Sequence, residues 1–383
     1  MINQTSKHEW RNVRFGDVVK LNTNRISDPE AEGIERYVGL EHITPEDLII
    51  RDWGFVSEGT TFTNHFKPGQ VLFGKRRAYQ RKVALADFEG VCSSDIYTFE
   101  TKDADILLPE FLPFLCQSEG FYNFAVNTSA GSLSPRTNWK HLKEYGFALP
   151  PLDEQRRIIE ILKSIENNIS RYDFLYKSIY VLRKSIENHY LEKNDNSPFV
   201  SIKEVAEINP ESTKAIKEYD NINYIDISSV SEQSGVLEDE IKSYKYKDAP
   251  SRARRVVRSG DIIISTVRIY LKTYALIGEI HDGNVVSTGF CVLRPNKNLI
   301  LPELLFALIK SEKFIGLMDA YSTGTNYPSV SIDDIAAYNI PLLPLNKQME
   351  IIKIFSSLSL AEKSIHSRKC RLTVFKKIVL DSL

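Results

Sequence analysis

The chain is written twice, and this constrains its fold more than any other feature. "VRFGDVVKLN" at 13 to 22 reappears as "VSIKEVAEIN" at 200 to 209, and Tyr37, Leu40 and Ile43 recur as Tyr224, Ile227 and Val230. "PGQVLFGKRR" matches "SGDIIISTVR", setting Gly69 on Gly260 and Arg77 on Arg268. "LPEFL" at 108 recurs as "LPELL" at 301, and Gly131, Pro135 and Tyr145 recur as Gly324, Pro328 and Tyr338. "LPPLDEQRRII" at 149 then recurs as "LLPLNKQMEII" at 342. With 383 residues there is enough chain for each copy to bury its own core, so two tandem modules of one architecture are expected.

Each copy has the same plan. Short β-branched or aromatic runs such as "QVLFG" and "DIIIST" read as strands after a glycine turn. "VALADFEGVCSSDIYTFE" and "YALIGEIHDGNVVSTGFCVLRP" are expected to be hairpins around Glu89-Gly90 and Asp282-Gly283. A leucine- and phenylalanine-rich helical piece follows, then a Gly/Ser/Thr loop, then a proline segment. The predicted class is α+β, two tandem pseudo-symmetric strand-rich modules each followed by a long helix. Boundaries are expected at 1–151, 152–194, 195–344 and 345–383.

The helices are the most regular stretches. Ile158, Leu162, Ile165, Ile169, Tyr172, Tyr176, Ile179 and Ile186 are spaced by threes and fours, apart from the last step. So, with one gap, are Ile354, Leu358, Ala361, Ile365, Leu372, Phe375 and Val379. A period of 3.5 held over about four heptads predicts a coiled-coil seam. At about 1.5 Å per residue such helices reach roughly 50–60 Å, so they are expected to pair with each other and hold the modules apart. The plainer alternative is two amphipathic helices, each packed on its own module.

Several chemistries find no support. "KPGQVLFGKRR" has the G-x-x-x-x-G-K spacing of a phosphate-binding loop, but Arg76 stands where a magnesium-holding Ser or Thr belongs. Its strand-like residues also lie between the glycines, where the loop should be, and the second copy drops Gly74 and Lys75. The seven histidines show no metal-binding spacing, and the four cysteines form no C-x-x-C pair. No G-x-S-x-G elbow is present. Asn209-Pro210 lacks the second proline and aromatic of the N-P-P-F/Y motif of amino-methyltransferases. No catalytic residues and no metal site are therefore expected. With no signal peptide in view, the expected location is cytoplasmic.

What remains is electrostatic. The net charge is −1, so a polyanion partner requires local basic patches. Lys67, Lys75, Arg76, Arg77, Arg81 and Lys82 lie between Lys67 and Ala86 with no acid among them. The second copy places Arg254, Arg255, Arg258, Arg268 and Lys272 in a stretch with only Asp248 and Asp261. Tyr79, Tyr270 and other tyrosines are interleaved. Because the patch recurs at the same place in both copies, DNA contact is expected through phosphate attraction and reading of base edges. The rival class is a coiled-coil adaptor or scaffold with no DNA partner.

Two diverged modules, each ending in an "LPPLxEQ"-like junction and running into a heptad helix, resemble the specificity subunit of a type I restriction–modification enzyme. "GSLSPRTNWKHLKEYGFALPPLDEQRRI" and "GTNYPSVSIDDIAAYNIPLLPLNKQMEII" are similar to that family's junction between target recognition domain and conserved helix. The second departs from the first at Leu343 and Asn346-Lys347. The resemblance implies that each recognition domain reads one half of a split DNA site. It also implies that the helices pair as an antiparallel coiled coil that fixes the gap. Two methyltransferase subunits would dock on them and carry the S-adenosylmethionine, a restriction/translocase subunit could join, and this chain would hold no cofactor. Arg77 and Arg268, kept in both copies on the strand after the glycine, are expected to position phosphates. Lys75, Arg76, Tyr79, Gln80 and Arg81, with Tyr270 and Lys272, differ between copies and suit base reading; Lys82 adds to the patch. The loops from Ser132 to Arg136 and from Thr325 through Asn326 to Tyr327 suit entry into a groove.

Overall fold

The computed structural model describes residues 10–192, 197–213, 221–230 and 241–383; the boundary expected between 194 and 195 lies outside them. The chain forms two compact units, one comprising residues up to Phe174 together with Ile365–Leu383, the other Leu175–Ser364.

The first unit is built on a four-stranded antiparallel sheet in the order Val19–Asn22, Ile96–Thr101, Val71–Gly74, Val83–Leu85. A second four-stranded sheet has the order Gly54–Phe55, Arg36–Val38, Gly90–Cys92, Asn64–Phe66, with one parallel pairing. The ribbon Arg11–Arg14 with Gly146–Leu149 closes the unit. The second unit repeats this topology, with Ile262–Ser265 and Phe290–Pro295 central in its first sheet. "VLF" and "III" are continuously apolar because both faces of this sheet are covered. Val71 and Phe73 enter the helix-side core, whereas Leu72 enters the core shared with the second sheet. Ile262 and Ile264 part from Ile263 in the same way.

Two local expectations are corrected. Val83–Leu85 and Gly90–Cys92 are not hairpin partners, because the first pairs with Val71–Gly74 and the second with Arg36–Val38 and Asn64–Phe66. The chain crosses between sheets at Glu89-Gly90, and its copy does so around Asp282-Gly283. Burial of alternate faces by two different cores outweighs local pairing. The single helical piece is two helices, Leu112–Gln117 and Glu119–Asn127, because extended Ser118 accepts from the Phe121 amide and caps the second. Ser311 does the same for Phe314.

Helices run over Leu152–Glu187 and Leu345–Asp381. Their first turns pack on the module they follow: Ile158, Ile159 and Leu162 in the first core, Ile351 and Phe355 in the second. Their far turns also belong to cores. Val379 and Leu380 lie in the first unit's core, and Ile186 and Tyr190 pack against the second's. Among the heptad positions Ile165 is buried, Ile169, Tyr172, Ile179, Leu358, Ile365 and Leu372 are half-buried, and Ile354 and Phe375 are exposed.

Each long helix is pinned at its start by a buried glutamine. Gln155 donates to the Ile106 and Pro150 carbonyls at 2.9 Å and accepts from the Leu108 amide at 2.9 Å. Gln348 repeats the arrangement with Leu299, Leu343 and Leu301. The repeated "LPE" and "EQ/KQ" words are thus two halves of one hydrogen-bonded joint.

Candidate nucleic-acid interface

Arg77 and Arg268 are not on a strand. The strands stop at Gly74 and Ser265, and each arginine opens a tight turn that reverses the chain. In the first unit Arg77 and Arg81 are both left-handed, with φ of 54° and 55°, and bracket the turn Ala78–Gln80. In the second, Arg268 and Lys272 take φ of 49° and 59° around Ile269–Leu271. Left-handed non-glycine residues cost roughly 1–2 kcal/mol each. Their recurrence at matching positions means the rest of each unit holds the turn in place. Buried Ala78 and Ile269 anchor the turns, leaving Tyr79 and Tyr270 exposed and Gln80 part-exposed.

A glycine loop is clipped to each turn. Arg77 donates its amide to the Pro135 carbonyl at 2.7 Å and Thr137 donates to Lys75 at 3.0 Å. Arg268 donates to Pro328 at 2.7 Å and Val330 to Thr266 at 2.9 Å. The loops themselves close through paired bonds between Ala130 and Arg136 and between Thr323 and Ser329. Gly131 and Gly324 have φ of 110° and 104°, which a side chain rarely tolerates. Ser132 and Leu133 in one loop, and Thr325, Asn326 and Tyr327 in the other, are exposed at the tips.

Around this shared frame the side chains differ. In the first unit Asp95 binds Arg136 at 2.8 Å and Arg76 at 3.3 Å, and Arg76 also donates to the Ser134 hydroxyl. Lys75 lies 4.7 Å above the Tyr97 ring, and burial lowers its pKa. Lys82 donates to the Leu40 carbonyl at 2.5 Å. In the second unit Arg268 lies 4.6 Å from the Tyr327 ring and donates to the Asn326 carbonyl at 3.0 Å. The Nε of Arg77 and of Arg268 is buried without a hydrogen-bond partner. Arg254 and Arg255 stand on Ala253–Val256 of the other sheet, Arg254 exposed and Arg255 half-buried. Arg81 turns inward to Glu119 at 2.5 Å and Glu46 at 3.5 Å, so its charge is spent inside the unit.

Burial raises the Asp95 pKa, but the hydrogen bonds and charges of Arg136 and Arg76 outweigh it and hold the carboxyl below its ordinary value. A depressed carboxylate stabilises above its unfolded pKa of about 3.9, and the contribution is lost as pH falls through the depressed folded value. The clip is therefore intact at neutral pH and opens only in acid. Asp95→Ala is expected to lower the protection factors of the Arg77 and Thr137 amides at pH 7 to the values the native protein reaches only in acid. Unchanged protection at both amides would show that the backbone bonds hold the loops alone.

Comparison with known proteins agrees with this frame. The type I restriction modification DNA specificity domain matches twice, over residues 7–172 and 194–371. The EcoDI specificity subunit of Escherichia coli is 31% identical over 193 residues, which is 45% of this chain and 40% of that protein; the chain thus spans less than half of that relative's length. The MjaVIII specificity subunit of Methanocaldococcus jannaschii is 21% identical across 98% of this chain and 92% of its own. The type I restriction-modification S subunit from M. genitalium has the same fold, with a TM-score of 0.63 at 14% identity over 100% of this chain and 97% of that one. Two family matches laid on two units of one topology have one reading: the chain belongs to the type I restriction–modification DNA specificity family and carries its domain twice.

Proposed function

We propose that this chain reads a split DNA site, one half with each unit, and confers that specificity on a type I restriction–modification complex. The observation that carries the reading is the clipped loop pair, present in both units with the same backbone and different exposed side chains. A common frame suits a common duplex backbone, and differing tips suit two different half-sites. Arg77 and Arg268 position phosphates. Tyr79, Arg76 and Arg136 in the first unit, and Tyr270, Asn326 and Tyr327 in the second, face the bases.

The long helices pair antiparallel in this reading and set the gap between half-sites. Ion pairs joining the two helices support it: Lys376 with Glu166 at 3.0 Å in the first unit, Arg183 with Glu362 at 3.0 Å in the second. Two methyltransferase subunits dock on the chain and carry S-adenosylmethionine. The chain itself, as a member of a specificity family, is not the catalyst.

Arg77→Ala is expected to weaken duplex binding by the assembled complex. The slope of log K against log salt should fall by about 0.9, the share of one phosphate contact. Unchanged affinity and slope would remove the phosphate role. The reading as a whole is tested by mapping methylated adenines in the genome with and without the gene. Loss of one split motif is expected; an identical methylome would overturn it.

A further inference from the structure

Each unit contains a second repeated feature, a socket built where the arginine turn, the serine-broken pair of short helices and both long helices meet. The cavities measure about 490 Å³ in the first unit and about 640 Å³ in the second. Their basic and floor positions correspond across the repeat: Arg81 with Lys272, Gln117 with Lys310, Lys376 with Arg183, Lys377 with Lys184. The last three pairs are all 193 positions apart, the spacing of the repeat itself.

The group at the floor of the first socket is Gln117. It is 5% exposed, and neither its amide nitrogen nor its amide oxygen has a hydrogen-bond partner. Buried amides are ordinarily satisfied, so this one is set for a ligand. In the second socket the same place is held by Lys310, whose ammonium lies 5.1 Å from the Phe306 ring centroid and 5.5 Å from that of Tyr274. Burial lowers its pKa, with the Arg183 charge adding to the effect. The one property that glutamine and lysine share here is an N–H donor. Six of the nine acids that line the two sockets are held by a base: Glu46, Asp47, Glu166 and Asp173 by Arg81, Arg51, Lys376 and Lys369, and Glu312 and Glu362 by Lys184 and Arg183. Both floors therefore suit an acceptor oxygen, and the Lys310 ammonium favours one that carries negative charge. Beside each socket the long helix presents an exposed apolar pair, Val374 and Phe375 in the first unit, Val181 and Leu182 in the second, again 193 positions apart.

We propose that each socket anchors an acidic side chain on an apolar segment of the methyltransferase subunit, so that two copies dock in one mode at repeat-related sites. This rests on the docking role proposed above. It explains why the sockets correspond while the DNA-facing tips diverge: two half-sites differ, but the partner is the same protein twice.

The test is the stoichiometry of the full chain with the methyltransferase subunit, read by native mass spectrometry and titration. The native chain should take up two copies. Gln117→Leu and Lys310→Met should each weaken one site roughly tenfold to a hundredfold, and together should release both copies. The exchanged variants Gln117→Lys and Lys310→Gln should keep two copies, because each installs the donor the other unit uses. Val374→Glu, on the exposed rim, should release one copy while leaving the core untouched, and stands in if Gln117→Leu melts early. Two copies bound at native affinity by the Gln117→Leu/Lys310→Met double variant would overturn the sockets and leave the docking role intact. A native chain that takes up no methyltransferase would overturn both.

Discussion

Gln348→Leu is expected to lower the melting temperature of the second unit by roughly 6–12 °C. The carboxamide is fully buried and makes three bonds, donating to the Leu299 and Leu343 carbonyls at 2.8 and 2.7 Å and accepting from the Leu301 amide at 2.8 Å. Leucine fills similar space but leaves two carbonyls and one N–H buried without partners. At about 1 kcal/mol or more for each abandoned group, the loss is about 3 kcal/mol. For a unit of about 190 residues each kcal/mol moves the midpoint by about 2–4 °C. Gln348→Glu should be worse at neutral pH, because a carboxylate would then face two carbonyl oxygens. Gln155→Leu should do the same to the first unit. Calorimetry decides the matter, and a shift below about 2 °C would mean the joint is held by helix packing instead.

Inserting one heptad into both long helices is expected to widen the recognised gap by about three base pairs. Seven residues add about 10 Å of helix, and duplex DNA rises about 3.4 Å per base pair. The insertions belong between Phe174 and Leu175 and between Ser364 and Ile365, where the chain passes from one unit to the other. Seven residues make two turns, so the faces that carry Arg183 and Lys376 keep their direction. Both half-site sequences should survive with only the gap altered. A motif with its original gap would dismiss the helices as a ruler.

What the sequence made legible was the part that repeats. The two modules, the glycine loops and the long helices could all be found by laying the chain on itself, and those are the elements both units contain. Strand partners were not legible in this way. Val83–Leu85 and Gly90–Cys92 are close in sequence but belong to different sheets, and only the burial of alternate faces by two cores separates them. Ser118 and Ser311 did carry a readable cap signal, a serine followed by an acidic residue at the start of an apolar run. The basic patch was visible, but the fate of its charges was not: Arg81 meets Glu119, a residue 38 positions away that no local pattern points to. Gln117 and Lys310 escaped notice because they differ in type, and only the cavities around them reveal what they share.

The far ends of the helices have a consequence for how the protein is made. Val379 and Leu380 sit in the same core as Val71 and Phe73, so the first unit contains residues synthesised some three hundred positions apart. Domains usually finish folding in the order they leave the ribosome. Here the first unit waits with an open apolar face until Ile365–Leu383 emerges, while Leu175–Ser364 is already whole. A nascent chain stalled near residue 364 therefore has its weak point in its oldest part. Long-range closure of this kind is slow, and it marks the first unit as the one that needs protection during synthesis.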